Sequence, residues 1–136
     1  MDLIDTSVWA LQRNPAIRSW FASGLQNGEL ALCDMVVQEI LHSASTPGIY
    51  AAMAGDLESV PRLSMDRWEW RRTLEVYGLL AAQGHQLHRS VKHPDLLIAA
   101  CAERHDVTLV HYDRDYDAIG LVTGQSMRWV APRGTL

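Results

Sequence analysis

Acidic residues stand beside several apolar segments of this chain, where they could act together. The stretch HYDRDYD, residues 111–117, follows an apolar run and carries aspartates at 113, 115 and 117, while Asp5, Glu39 and Asp95 lie near other apolar segments. Clustered carboxylates repel one another and raise their own pKa values unless cations neutralise them. Oxygen ligands without a sustained histidine or cysteine contribution select Mg²⁺ or Mn²⁺ over zinc. Such a site suits metal-assisted phosphodiester hydrolysis.

The pattern of apolar and capping residues predicts strands that alternate with helices. Apolar runs bounded by turn residues predict strands at residues 3–4, 29–33, 60–64, 107–112 and 127–130. Capping residues and helical apolar spacing predict helices in the segments 5–11, 15–28, 34–43, 49–59, 66–84 and 94–104. This alternation predicts an α/β fold with a mostly parallel sheet between two layers of helices. In such folds the active crevice lies beyond the carboxyl ends of the strands.

Two of these helices carry specific expectations about their first turns. We expect Asp34 to be a simple N-cap of the helix that contains Glu39. Asp66, with Glu69 three residues later, indicates a capping box. The helix that begins after this capping box carries apolar residues on one face: Trp70, Leu74, Tyr77 and Leu80 or Ala81.

The acids are expected to meet at one edge of the sheet. Asp95 opens a helix that runs one way for ten residues, about 15 Å, and Asp113 ends a strand that runs back for five residues, about 17 Å. Asp5 follows the first strand, and Glu39 lies in the helix after the second strand. Glu39 also lies on a partly apolar helix flank, where an unpaired charge is costly. Four acids therefore reach the same edge from four segments.

Each acid also has an ordinary structural explanation. Asp5 suits a helix cap, Asp95 suits the positive end of a helix dipole, and residues 113–117 suit a solvated turn. Glu39 suits a surface position. Their joint convergence favours a site over four unrelated structural roles.

The composition predicts one globular domain over residues 1–136. Apolar residues make up 48% of the chain and charged residues 21%, which is typical of folded proteins and excludes disordered and fibrous classes. No apolar run approaches the ~18 residues of a membrane span, and MDLIDTS carries acids where a secretory signal carries basic residues, so a cytoplasmic protein is expected. Cys33 and Cys101 form no CxxC motif, which favours free buried thiols.

The charge distribution leaves nucleic-acid binding open. The net charge of -4 argues against indiscriminate binding, yet eleven of the twelve basic residues are arginine, which suits phosphate contacts. Arg67, Arg71 and Arg72, with Arg89 and Lys92 nearby in sequence, either bind RNA phosphates or solvate a helix.

Three segments form a specific combination of motifs. They are MDLIDTSVWA at the N-terminus, VVQEIL around Glu39, and HPDLLIAACAERHDVTLVHYDRDYDAI in the C-terminal half. Together they resemble the PIN-domain ribonucleases and, within them, the VapC toxins of toxin-antitoxin pairs. The resemblance implies a three-layer α/β/α domain whose acidic pocket holds Mg²⁺ or Mn²⁺ and cuts single-stranded or looped RNA.

The resemblance also assigns roles to individual residues. Four positions match the acids of the family's pocket: Asp5, Glu39, Asp95 and Asp113. Asp5, Asp95 and Asp113 would bind the ion, and Glu39 would bind it or orient the attacking water. Asp115 matches a frequent fifth acid that assists the site or binds a second ion. Thr6 or Ser7 matches a hydroxyl that bonds a carboxylate or a metal-bound water.

Two residues of the HYDRDYD stretch depart from that pattern. Asp117 matches no site position and is expected to be solvated at the start of a helix. His111 stands where many relatives have threonine, and it either orients Asp113 or is a satisfied histidine within the strand.

Partners follow from the same resemblance. It implies a homodimer and a VapB-type antitoxin whose tail wraps the toxin. Apolar residues of the early helices could form a groove for that tail or could belong to the core: Trp9, Trp20, Phe21, Ile49, Tyr50 and Met53.

Three alternatives remain open at the level of sequence. One is a PIN-domain nuclease that processes RNA without an antitoxin, and another is a PIN fold retained for binding alone. The third is a receiver-like signalling module that binds Mg²⁺. That class requires a lysine near the end of a late strand, whereas the only lysine here, Lys92, precedes a helix.

Overall fold

A computed structural model describes all 136 residues, which form five strands and seven helices. The strands are β1 (Asp2–Ile4), β2 (Leu30–Cys33), β3 (Arg62–Leu63), β4 (Thr108–His111) and β5 (Met127–Trp129). The helices are α1 (Thr6–Ala10), α2 (Arg18–Gln26), α3 (Asp34–His42), α4 (Pro47–Glu58), α5 (Arg67–Ala82), α6 (His93–Arg104) and α7 (Asp115–Thr123). A 3₁₀ turn over Leu87–Ser90 precedes α6.

The sheet is entirely parallel, in the order β3-β2-β1-β4-β5. The chain moves outward from β1 to β3, then returns to the other side of β1 to form β4 and β5. The strand order therefore reverses between β1 and β4, where open α/β sheets bind their ligands beyond the strand ends. The predicted three-layer α/β/α fold is confirmed.

The central strands are buried because helices cover the sheet. All four residues of β2 are buried, and Leu3, Ile4, Leu109 and Val110 have no exposed surface. Continuous apolar strands of this kind are typical of parallel sheets. Helix α6 is buried at every position from Asp95 to Ala102, so it carries an acid into the interior at its first turn.

The expectation that Asp34 is an N-cap is wrong. Helix α3 begins at Asp34 itself, after the extended residue Cys33, and no side chain caps it. The Asp34 carboxylate instead pairs with Arg62 at 2.9 Å. An N-cap at Asp34 would require an extended backbone at that residue, but the strand ends at Cys33 and Asp34 already lies in the helix.

The capping box predicted for helix α5 is confirmed, but much of the predicted apolar face of this helix is exposed to solvent. Asp66 accepts a hydrogen bond from the Trp68 N–H, and Glu69 accepts one from the Asp66 N–H. Trp70 is 63% exposed and Leu74 is 74% exposed. The residues of α5 that enter the core are Glu69, Val76 and Leu80.

Two sequence expectations concern the thiols and the membrane. Cys33 and Cys101 are free and buried, as predicted. No helix of the chain combines the length and the apolar character that crossing a bilayer requires.

Candidate active site

Five acids from four segments surround the carboxyl ends of β1 and β4. Asp5 follows β1, Asp113 and Asp115 follow β4, Asp95 lies in the first turn of α6, and Glu39 lies in α3. We call this set the carboxylate pocket. Its position at the reversal of strand order is the one that the sequence predicts.

Asp5 is held by donors on both sides of its carboxylate. One oxygen accepts hydrogen bonds from the Ser7 N–H at 3.0 Å and from the Ser7 hydroxyl at 2.5 Å. The other accepts the Tyr116 hydroxyl at 2.6 Å. The side chain therefore serves as the N-cap of α1 while it faces the pocket, so the two explanations of Asp5 are compatible. The Asp5 N–H donates to the Val110 carbonyl at 2.9 Å, which ties β1 to β4.

Ser7 and Thr6 divide the hydroxyl role expected beside Asp5. The Ser7 hydroxyl donates to Asp5 and accepts the Tyr112 N–H at 2.9 Å, so it links α1 to the residue after β4. The Thr6 hydroxyl donates to Glu39 at 2.8 Å. Burial raises the pKa of Glu39, Thr6 lowers it, and the negative charge of Asp5 raises it further. Glu39 therefore interacts with the other acids of the pocket.

Tyr116 lies at the centre of the site and was not identified from the sequence. It has no exposed surface, and its hydroxyl lies 2.6 Å from Asp5 and 3.4 Å from Asp95. Burial, with the charges of Asp5 and Asp95, raises its pKa well above 10. The hydroxyl therefore stays protonated and donates. Its sequence signal was its place three residues after Asp113, on the helix that follows the strand.

Asp95 is the least satisfied acid of the pocket. It is 5% exposed, and its Oδ2 atom is buried without a hydrogen-bond partner. Burial, followed by the charges of Asp5 and Asp113, raises the pKa of Asp95 to about 8. A buried carboxylate oxygen without a donor is costly, and an added cation would remove that cost.

Asp113 and Asp115 face the ammonium of Lys92, a second residue that was not assigned to the site from the sequence. Lys92 Nζ lies 3.1 Å from Asp113 Oδ2, 3.8 Å from Asp115 Oδ2 and 4.0 Å from Asp95 Oδ2. The Asp115 N–H donates to Asp113 at 2.9 Å. The pKa of Asp113 is lowered, because the Asp115 N–H and Lys92 outweigh its burial. The signal for Lys92 was its spacing, three residues before Asp95.

His111 and Asp117 lie beside the pocket. His111 is buried, its Nδ1 atom accepts the Asp113 N–H at 3.2 Å, and its ring packs against Tyr116 and Trp129. It therefore orients Asp113 through the backbone, and burial lowers its own pKa. Asp117 is exposed in the first turn of α7 and accepts the indole N–H of Trp129. Its carboxylate is bonded outside the pocket.

The donor set of the pocket fits a metal ion. One carboxylate oxygen from each of Asp95, Asp113 and Asp115 lies within 4.8 Å of the others. Asp95 Oδ2 has no hydrogen-bond partner, and the ammonium of Lys92 is the single cation that contacts the five acids. Oxygen ligands of this kind are those that hard divalent cations prefer. The arrangement can therefore bind a cation and act on an anionic substrate.

An apolar groove lies apart from this chemistry. It is lined mainly by α5 and α6, and its residues include Trp70, Leu74, Tyr77 and Leu97. None of the five acids lines it. The polarity and the unsatisfied charge of the carboxylate pocket, and not the size of a cavity, identify the candidate active site.

Two kinds of comparison relate the chain to known proteins. The family model described as PIN domain matches residues 3–121. Ribonuclease VapC18 of Mycobacterium tuberculosis is 39% identical over 134 residues, covering 98% of this chain and 97% of that protein. Ribonuclease VapC51 of the same organism is 34% identical, covering 98% and 96%.

Solved structures share the fold at lower identity. The DNA-bound VapBC complex of Salmonella typhimurium contains a chain with a TM-score of 0.71 and 17% identity, covering 95% of this chain and 97% of that one. A chain of VapBC-5 from Mycobacterium tuberculosis has a TM-score of 0.60 and 24% identity, covering 94% and 95%. The family match over residues 3–121 and the full-length relatives lead to one conclusion: the chain belongs to the PIN-domain family.

Proposed function

We propose that this chain is a Mg²⁺- or Mn²⁺-dependent endoribonuclease that acts as the toxin of a VapBC-like toxin-antitoxin pair. The observation that carries the proposal is the carboxylate pocket, in which Asp95 Oδ2 is buried without a partner among four other acids. Relatives that match nearly the whole chain bear the name ribonuclease VapC, which supports RNA as the substrate. Because the chain belongs to the PIN-domain family, the alternative of a receiver-like signalling module is excluded.

We assign the metal-binding role to Asp5, Asp95 and Asp113, with Asp115 as an assisting acid. When bound, a divalent ion would lower the pKa of a water and stabilise the charge that develops at the phosphate. The chain prepares this site by fixing Asp5 with Ser7 and Tyr116. It fixes Asp113 with the Asp115 N–H and Lys92.

Glu39 is suited to orient the attacking water and take its proton. The carboxylate is anchored by the Thr6 hydroxyl, and its pKa is raised by burial. A raised pKa makes a carboxylate a better proton acceptor near neutral pH. In the hydrolysis, the water oxygen bonds to phosphorus, the bond from phosphorus to the leaving oxygen breaks, and the leaving oxygen gains a proton.

The surface beside Glu39 is suited to a binding partner. A groove of about 410 Å³ is lined by Thr6, Trp9, Glu39 and Met53 among others. Ile49 and Tyr50 on α4 are 45% and 50% exposed, whereas Phe21 belongs to the core. We propose that a VapB-like antitoxin binds here, because structural neighbours were solved as VapBC complexes. A homodimer remains a prediction from the family resemblance.

The alternative within the family is a nuclease that processes RNA without an antitoxin. The two possibilities differ in whether a small inhibitory protein binds the chain tightly. Expression of this chain alone should arrest the growth of a bacterial host, and co-expression of a protein from the adjacent reading frame should restore it. Unimpaired growth with an active chain would favour the processing nuclease.

Substitution of two pocket acids tests the nuclease proposal. Asp5→Asn and Asp95→Asn should each reduce RNA cleavage in Mn²⁺ by at least about 10³-fold, because each removes a charge that holds the ion. Asp117→Asn is the matched control, since Asp117 lies on α7 but points its carboxylate to Trp129. It should cleave like the parent chain. Full cleavage by both pocket variants would refute the site.

A further inference from the structure

Lys92 is the only lysine of the chain, and its ammonium is the only cation that contacts the carboxylate pocket. The residue is the N-cap position of α6, immediately before the turn that carries Asp95. Its Nζ atom donates a hydrogen bond to Asp113 and forms ion pairs with Asp95 and Asp115. The side chain is 67% exposed, so the ammonium reaches the pocket from its solvent side.

The oxygens that contact Lys92 are the ones an outer metal ion would need. The ammonium faces Asp95 Oδ2, Asp113 Oδ2 and Asp115 Oδ2, and one of these, Asp95 Oδ2, has no other partner. A hard divalent ion binds such oxygens directly and cannot share their space with an ammonium. Asp5 and Glu39, by contrast, are bonded only by hydroxyl and N–H groups and contact no cation, so their charge is left for one divalent ion.

We propose that Lys92 is the second cation of this active site. Its ammonium fills the outer position between Asp95, Asp113 and Asp115, the chain binds one divalent ion and not two, and the free N–H groups of Lys92 bind the RNA phosphate. The inference rests on the proposed nuclease function.

The chemistry of an ammonium fits this role. A lysine ammonium is a compact charge with three donors, of which one bonds Asp113, and the side chain is 67% exposed, which leaves the ammonium accessible to a phosphate. In two-ion phosphodiester hydrolysis one cation stabilises the leaving oxygen, and a protonated amine can supply that charge. A lysine ammonium is charged at neutral pH at its ordinary pKa of about 10.4.

The stoichiometry of Mn²⁺ binding tests the inference. Mn²⁺ alone is titrated into the parent chain, Lys92→Met and Arg89→Met, and free Mn²⁺ is counted by electron paramagnetic resonance. Arg89 is the matched control, because it lies three residues earlier and bonds Gln86 outside the pocket. The parent chain and Arg89→Met should each bind one ion, and Lys92→Met should bind two.

The dependence of RNA cleavage on Mn²⁺ provides a second measurement. Below saturation, cleavage should rise with the first power of the Mn²⁺ concentration in the parent chain and with its square in Lys92→Met. Two ions in the parent chain, or one ion in Lys92→Met, would overturn the inference and leave the nuclease proposal intact. No ion in the parent chain would overturn the metal site itself.

Discussion

Each of two regions of the molecule contains a cluster of acidic side chains with buried members. The negative charges of the two clusters are balanced in different ways. The first cluster is the α5–α6 ion-pair network. In it, two arginines form ion pairs with four acids: Asp66, Glu69, Glu75 and Glu103. Arg104 lies 2.7 Å from Asp66 and 3.1 Å from the fully buried Glu69. Arg72 bonds both Glu75 and Glu103. Every acid of this network contacts a guanidinium.

The carboxylate pocket lacks that closure. Three of its five acids, Asp95, Asp113 and Asp115, contact the one ammonium of Lys92. Asp5 and Glu39 contact no cation and are bonded by neutral donors. Burial, followed by the charges of Asp5 and Asp113, raises the pKa of Asp95 to about 8, and the single ammonium of Lys92 does not offset them. The two regions therefore differ in the source of positive charge. Guanidinium groups of the chain contact every acid of the network, although Glu69 Oε1 is buried without a hydrogen-bond partner, whereas Asp5 and Glu39 of the pocket contact no cation of the chain and, in our proposal, receive that charge from a metal ion.

Removal of one cation from each region should separate the two roles most clearly. Arg104→Met should lower the free energy of unfolding by about 3 kcal/mol, because it leaves the charge of Glu69 buried without a cation, bonded only by the Asp66 N–H. Lys92→Met should lower it by less than about 1 kcal/mol, because Lys92 is 67% exposed. Denaturant unfolding of the metal-free proteins measures both values.

The comparison of Arg104→Met with Lys92→Met has a control within the ion-pair network. The double variant Glu69→Gln, Arg104→Met should recover part of the lost stability, since no buried charge remains. Mn²⁺ binding by Arg104→Met should equal that of the parent chain. Equal stability losses for Arg104→Met and Lys92→Met would remove the distinction between the network and the pocket.

The difference between these regions also marks what could be predicted from sequence. The alternation of strands and helices predicted the parallel sheet, and strand ends placed Asp5 and Asp113 at one edge. Hydrogen bonds between residues that are close in sequence could be predicted, as in the capping box of Asp66 and Glu69. The convergence of Asp95 with these acids followed from the lengths of one helix and one strand.

Partners that meet through tertiary packing could not be predicted in this way. Tyr116 reaches Asp5 because α7 packs back beneath the strand ends, and the two residues are 111 positions apart. The spacing of apolar residues places Trp70 and Leu74 on one face of α5, but it does not determine which face of the helix packs against the core. The burial of Glu69 depends on Arg104, a residue of a different helix.

The pocket should destabilise the metal-free protein as pH rises, and Asp95→Asn should remove that effect. Asp95 keeps its proton up to about pH 8 in the folded chain, whereas an unfolded aspartate loses it near pH 4. The folded state therefore binds more protons in this window, and its stability falls as pH increases through it. The stability advantage of Asp95→Asn over the parent chain should grow by about 2.5 kcal/mol between pH 5 and pH 7.

That comparison cancels the contributions of groups common to both proteins, such as His111, whose lowered pKa acts in the opposite direction below its ordinary value of 6.5. Unfolding is measured in a chelator and again with Mn²⁺. Saturating Mn²⁺ should favour the parent chain and reverse the order. An advantage that does not change with pH would show that Asp95 is not strained by its charge.

The smallest expected effect concerns the donor that fixes Asp5. Tyr116→Phe keeps the shape of the buried ring but removes the hydroxyl that lies 2.6 Å from Asp5, so Mn²⁺ affinity should fall about tenfold, as for other groups that orient metal ligands. Tyr112→Phe is the matched control, because the Tyr112 hydroxyl accepts the Leu136 N–H and lies outside the pocket. Equal affinity for both variants and the parent chain would mean that Ser7 alone fixes Asp5. A loss confined to Tyr116→Phe would show that the pocket orders Asp5 with neutral donors and leaves its charge for the ion, whereas every acid of the ion-pair network contacts a guanidinium.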